Sequence, residues 1–450
     1  MGINVNKRTF YKNFLLLALP MALQSMITTS VNLIDNIMIG QLGDITIAAV
    51  GLANKVFFIY TLMVFGICGG ASAFVAQYWG KKDYQGIKIS LFLNIVPAVI
   101  ISVVFFLLSF LFPEFLMSLL SGDSEVIRVG AEYLKIISLS FLFTGITLVC
   151  SYSLKNMEHP KIPLIGSVIS IVINTTLNYI LIFGKFGAPV LGSNGAATGT
   201  LVARTVEVIF VLSLTLKKLD FLTKNLKEYL KIPKDFIKTF FITVIPVTAN
   251  ETLWSVGTTV IAAVYARVST EAIASVNIVN ILFDLSSVFL FGAGHAAGII
   301  VGKEIGLKRY ENAYNYANRL SVVIPAVTGV ISIILVFLCP YFLKLFKISP
   351  EVKALTYNLY LILAVYTPVR AYNHVNIVGT LRYGGDVLFC LISDAASIWI
   401  VGALGAYLAG IVFGLDMIFV YIISQFEEIV KATIIYLRMR KRNWIKDLVN

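Results

Sequence analysis

Few ionisable residues stand inside the apolar stretches of this chain, so each one is informative. A charged side chain deep in a membrane helix costs about 2.5–3.5 kcal/mol on insertion scales and usually faces a cavity or a partner. Asp35 lies in VNLIDNIMIG, where its neighbours Ile34, Ile37, Met38 and Ile39 offer it no partner in sequence. It reads either as a carboxylate held by another helix for structure or as a protonatable group in a cleft. Asn174 and Asn178, in INTTLNY, are four apart and share one helix face. Such a face points inward, as interhelical glue or as part of a polar site. Thr198 and Thr200 lie in GSNGAATGT, whose small residues let another helix come close.

The second half carries Glu251 in PVTANETLW, Asp284, Arg370, Asp394 and Asp416. An unpaired Arg and an unpaired Glu are both expensive in a membrane. Arg370 is therefore expected within salt-bridge reach of Glu251 or, failing that, of Asp284. The alternative is that Arg370 snorkels to an interface. Arg204 and Glu207 are three apart and read as a structural pair. Asp416 reads as a residue near a helix end. His159, His295 and His374 show no metal-ligand spacing, and Cys68, Cys150, Cys339 and Cys390 read as buried free thiols.

The elements that position these residues follow from composition. The chain has 450 residues, 58% hydrophobic and 13% charged, with a mean hydropathy of +0.86. Soluble domains carry roughly 25% charged residues. The apolar residues run in stretches long enough to cross a bilayer, which takes roughly 20 residues per helix. Twelve spans are expected near 14–38, 47–77, 90–113, 132–154, 163–184, 195–216, 239–265, 272–301, 320–343, 355–379, 387–409 and 411–437. The first is read as a retained helix, not a cleaved signal peptide. The net charge of +12 does not point to nucleic acid, because the basic residues sit between spans. Loops on the side of the N-terminus carry 25 of them, Lys155 and Arg382 included, against 7 on the other side. Positive loops stay in the cytoplasm, so both termini are expected there.

The two halves resemble each other at an offset of 226 positions, the distance from Pro20 to Pro246. Asn54 then matches Asn280, Gly66 matches Gly292, Gly80 matches Gly306, Lys82 matches Lys308 and Tyr84 matches Tyr310. The organisation expected is an all-α integral membrane protein of two six-helix lobes. Residues 1–216 form the N-lobe, 217–238 a cytoplasmic linker, and 239–450 the C-lobe with a basic tail. Parallel repeats of this kind enclose a central cleft, the architecture of a secondary transporter. No selectivity-filter sequence and no GxxxxGK[ST] loop occurs, so neither a channel nor an ATP-driven pump is indicated.

DNIMIGQLG after Pro20, GASAFVAQYWGKKD at 70–83, GAATGT in the sixth span and GTLRYGGD at 379–386 follow in order along nearly the whole chain. In these the chain resembles the multidrug and toxic compound extrusion (MATE) family. Tyr383 replaces the usual Gly of the family's LRGxGD element. The resemblance implies an antiporter in the cell membrane exporting small organic, often cationic, compounds against protons or sodium. It implies an N-lobe site at Asp35, Asn174, Asn178 and Thr200, and a C-lobe site at Glu251. The family's sodium-coupled members add a tenth-span Asp. Here TPVRAYNHV offers Arg370 instead, and an Asp that some members carry at position 178 is Asn.

The expectation is a proton-coupled antiporter, with sodium as the lesser option, no cofactor, and Asp35 as the coupling group. Arg370 would serve as a fixed internal cation beside Glu251 or, failing that, Asp284. The lipid bilayer is the surroundings, nucleic acid is not a partner, and a monomer is expected. A lipid-linked-substrate flippase is the alternative, favoured by a cleft dense in basic residues. An intramembrane enzyme would need a convergent nucleophile or metal set, and none is visible.

Overall fold

Residues 7–222, 224, 232–344, 346 and 348–449 are described in a computed structural model of the chain. The positions expected in the N-terminal tail before Lys7, linker residues 223 and 225–231 with Lys227 and Lys231 among them, and Lys347 lie outside the described residues. Among the described residues, nine helices are long and apolar enough to cross a membrane. A tenth span is the pair Ser124–Ser138 and Phe141–Asn156, bent by 49°. Two further segments, Lys234–Val268 and residues 417–440, complete the twelve. In order the spans are Lys7–Ile39, Asp44–Lys81, Tyr84–Leu111, the bent pair, Lys161–Phe183, Gly192–Lys218, Lys234–Val268, Thr270–Gly306, Tyr310–Leu343, Pro350–His374 with the π-helical Val375–Leu381, residues 387–412, and residues 417–440. All four cysteines are buried and free.

The break in the fourth span leaves the last carbonyls of its first helix outside the regular ladder, and Leu139 N and Ser140 N donate to two of them, Ile136 O at 3.3 Å and Ile137 O at 2.9 Å. Here the Tyr60 hydroxyl donates to the Phe141 carbonyl at 2.5 Å, and its ring stacks on Phe141 at 4.8 Å. The second span thus supplies both a hydrogen bond and a surface to the break.

The chain divides into two compact units. One comprises Leu23–Val75 and Asp83–Val244; the other comprises Met1–Ala22, Ala76–Lys82 and Ile245–Asn450. The first and seventh spans each pass from one unit to the other close to their internal prolines, Pro20 and Pro246. Close crossings join the second span to the seventh and the eighth to the first. A Cβ on Gly70 would lie 2.7 Å from Val244 Cα, and one on Gly292 would lie 2.4 Å from Ala22 N. The matched pair Gly80 and Gly306 marks another close crossing, between the ends of the second and eighth spans. A Cβ on Gly80 would meet the Lys303 carbonyl at 2.2 Å, and one on Gly306 the Gln77 carbonyl at 1.9 Å. Backbone cannot yield as a flexible side chain can. Gly306→Ala is therefore expected to cost about 1–3 kcal/mol by overpacking. Gly122→Ala, with nothing within 4 Å of the new Cβ, should leave thermal stability in detergent within error of the parent.

The basic tail does not hang free. Gln77 Nε2 donates to the carbonyls of Tyr383 (3.0 Å) and Lys446 (3.1 Å), and its Oε1 accepts from Leu448 N (2.9 Å). Asp386 accepts from Arg438 Nε (2.6 Å) and Lys446 Nζ (2.7 Å). Trp444 is fully buried, and a Cβ on Gly384 would sit 2.5 Å from its ring. The GTLRYGGD segment thus binds the tail with its small residue and its acid.

Candidate functional site

In the unit holding residues 23–75 and 83–244, the first, fifth and sixth spans bring four expected residues together. Asn178 Nδ2 donates to Asp35 Oδ1 at 2.8 Å and to Asn174 Oδ1 at 3.4 Å, and Asn174 Nδ2 donates to Thr200 Oγ1 at 3.0 Å. Asn174 and Asn178 are buried, and Asp35 is half-buried. The small residues of GSNGAATGT allow this. A Cβ on Gly195 would clash with the Leu181 carbonyl carbon at 2.7 Å, and one on Gly199 with Asn178 Oδ1 at 2.3 Å. Thr198 instead donates to its own helix, at Asn194 O. Arg204 and Glu207 form the expected pair at 2.7 Å.

Asp35, Asn174, Thr200, Arg204 and Glu207 all line one cavity of about 560 Å³ within this unit. Lys155 lines it too, although its place in the sequence suggests a loop. The cavity therefore contains two carboxylates and two cations. It can hold an organic molecule by polar contacts, and Asp35 supplies a carboxylate able to exchange a proton.

The other unit corrects the sequence reading. Arg370 pairs with neither Glu251 nor Asp284. Its Nε lies 3.4 Å from Glu428 Oε1, its Nη2 donates to Gln425 Oε1 at 2.7 Å, and its guanidinium sits 4.9 Å from the Phe283 ring centroid. The twelfth span supplies nearer partners than the seventh or eighth. Glu251 is held instead by Arg382, at 2.7 Å. Arg382 follows the π-helical turns at 375–381 and is buried, not in a loop. Among the described residues, no hydrogen bond or ion pair reaches Asp284. Asp416 caps the helix Met417–Gln425 by accepting from Ile418 N at 2.9 Å.

A buried ionic cluster went unread in the sequence. Lys431 Nζ lies 2.7 Å from Asp394 Oδ1, 3.3 Å from Glu427 Oε2 and 3.8 Å from Glu428 Oε2. Asn373 Nδ2 donates to Glu428 Oε2 at 2.7 Å. The signal was available: EEIVK places three charges inside an otherwise apolar span.

The model of the family MatE matches the chain twice, over residues 20–180 and 246–408. The chain belongs to the MATE family. The two matches begin 226 positions apart, at Pro20 and Pro246, the offset of the internal repeat. MATE relatives include the "Uncharacterized transporter YisQ" of Bacillus subtilis (strain 168), 26% identical over 92% of this chain and 90% of that protein. The "Probable multidrug resistance protein NorM" of Bacillus anthracis is 26% identical over 87% of this chain and 86% of its own length. Among solved structures, a crystal structure of MATE in the bent conformation superposes with a TM-score of 0.87, at 18% identity, covering 96% of this chain and 95% of its own. The MATE fold is thereby shown: twelve membrane helices in two lobes. The chain is a multi-pass membrane transporter, not an enzyme.

Proposed function

We propose that this MATE transporter exports small organic compounds bearing a positive charge, by alternating access in exchange for protons. The observation that carries this reading is the Asp35 carboxylate, half-buried at a cavity wall and hydrogen-bonded to Asn178. A cation and a proton can compete for that one group, and such competition is the basis of antiport. The names of relatives such as the B. anthracis NorM protein support a drug-like substrate. A flippase for an acidic lipid-linked substrate would favour an excess of basic groups, whereas this cavity balances Lys155 and Arg204 with Asp35 and Glu207. Efflux-deficient cells expressing the chain should accumulate less of an organic cationic dye than cells with an empty vector. Equal accumulation at good expression overturns the proposal.

On this reading both termini and the 217–238 linker face the cytoplasm, the protein works as a monomer, and residues 1–216 and 239–450 act as its lobes. The charge asymmetry of 25 to 7 supports the orientation. A membrane-impermeant thiol reagent added to intact cells should leave Lys224→Cys unlabelled, in a background lacking the native cysteines. Ready labelling would invert the topology.

A further inference from the structure

The second span, Asp44–Lys81, changes unit along its length. Its residues up to Val75 group with one unit, and Ala76–Lys82 group with the unit that also holds the tail. The end of this span and the tail therefore pack within one unit.

Terminal segments are poorly ordered unless something ties them down. This tail is tied at several points. Arg442 pairs with Glu311, and its guanidinium lies 3.9 Å from the Tyr314 ring centroid. Trp444, fully buried, donates from Nε1 to Met439 O at 3.4 Å. Lys446 N donates to Gly384 O at 2.8 Å, and Lys81 Nζ donates to Val449 O at 2.9 Å. Val449 itself is 6% exposed.

Gln77 is the junction. A glutamine amide offers two donors and one acceptor oxygen, and here all are used. Its Nε2 donates to the carbonyls of Tyr383 and Lys446, and its Oε1 accepts from Leu448 N. One fully buried side chain of the second span thereby joins the turn after the tenth span to the tail. An apolar side chain at position 77 would take a partner from two carbonyls and one N–H at once. A buried polar group that loses its partner costs more than the bond itself was worth. The tail would gain by moving out to water.

We infer that the tail is a strap, docked throughout the transport cycle, that fastens the end of the second span to its unit, with Gln77 as the positioning residue. The inference rests on the alternating-access reading above. A span that passes from one moving unit to another transmits motion only if both its ends are held.

The test follows maleimide labelling of single cysteines in the full-length protein, in proteoliposomes and in a background lacking the native cysteines. Val449→Cys reports the strap, because Lys81 bonds the backbone of that residue and not its side chain. Lys441→Cys, at an exposed position, is the reference. A docked strap predicts that Val449→Cys reacts about tenfold or more slowly than Lys441→Cys, equally at rest and with a pH gradient and a cationic dye present. Gln77→Met should bring the Val449→Cys rate toward the reference and lower dye transport severalfold. Labelling of Val449→Cys that speeds up during transport overturns the inference, because the strap would then open in each cycle. So does a Gln77→Met protein that carries dye at the parent's rate. Should Gln77→Met fail to insert, the comparison of Val449→Cys at rest and during transport decides alone. If the parent moves no dye, the export reading falls, and the resting labelling rates with and without Gln77→Met still decide the fastening.

Discussion

Asp35→Asn is expected to reduce gradient-driven export to the level of protein-free vesicles while the protein still folds and inserts. The replacement is nearly isosteric, and its amide can keep a hydrogen bond to Asn178, which now lies 2.8 Å from the carboxylate. Packing around Asn174 and Thr200 should therefore survive. What the amide cannot do is take up and release a proton, or offer a charge to a cation. The variant should elute as the parent does in gel filtration and unfold at a similar temperature. Normal export by such a well-folded variant removes Asp35 from the mechanism.

Lys431→Met should produce the largest loss of stability of any single change considered. The lysine is buried among Asp394, Glu427 and Glu428, with one contact at 2.7 Å. Removing one partner of a buried ion pair leaves an uncompensated charge, at a cost of about 3–5 kcal/mol. Here three carboxylates would share the remaining cation, Arg370, whose Nε lies 3.4 Å from Glu428. Adding Asp394→Asn to Lys431→Met should recover part of the loss, because the closest carboxylate then needs no counter-charge. Thermal unfolding in detergent measures both. A Lys431→Met protein as stable as the parent would show that the cluster is not held by its lysine.

The parts of the fold legible in the sequence were those with a period or a repeat. Long apolar runs placed the spans, and the Pro20 and Pro246 offset recurs in the family matches. The i, i+4 asparagines announced a polar face, and the Gly195 and Gly199 stripe announced the close approach that faces it. Partner choice was less legible. Arg370 and Glu251 share one half of the chain, but sequence fixes neither which side of its helix Arg370 presents nor what stands opposite. The twelfth span stood opposite, through Gln425 and Glu428. A crossing of the chain was likewise not legible: residues 7–22 group by contact with the unit that holds Ile245 onward. Arg382 and Lys155 look like loop cations in sequence, because charge next to a span boundary reads as exposed. One is buried against Glu251 and the other lines the cavity.

The most direct test of the proton-coupled account is transport in proteoliposomes with pH and sodium gradients imposed separately. Rhodamine B ethyl ester, an organic cation, serves as the transported dye. The account predicts that a pH gradient alone drives the dye across the bilayer, that sodium in place of the pH gradient does not, and that Asp35→Asn vesicles match protein-free ones. Transport that stops when sodium is withdrawn at a constant pH gradient would contradict it.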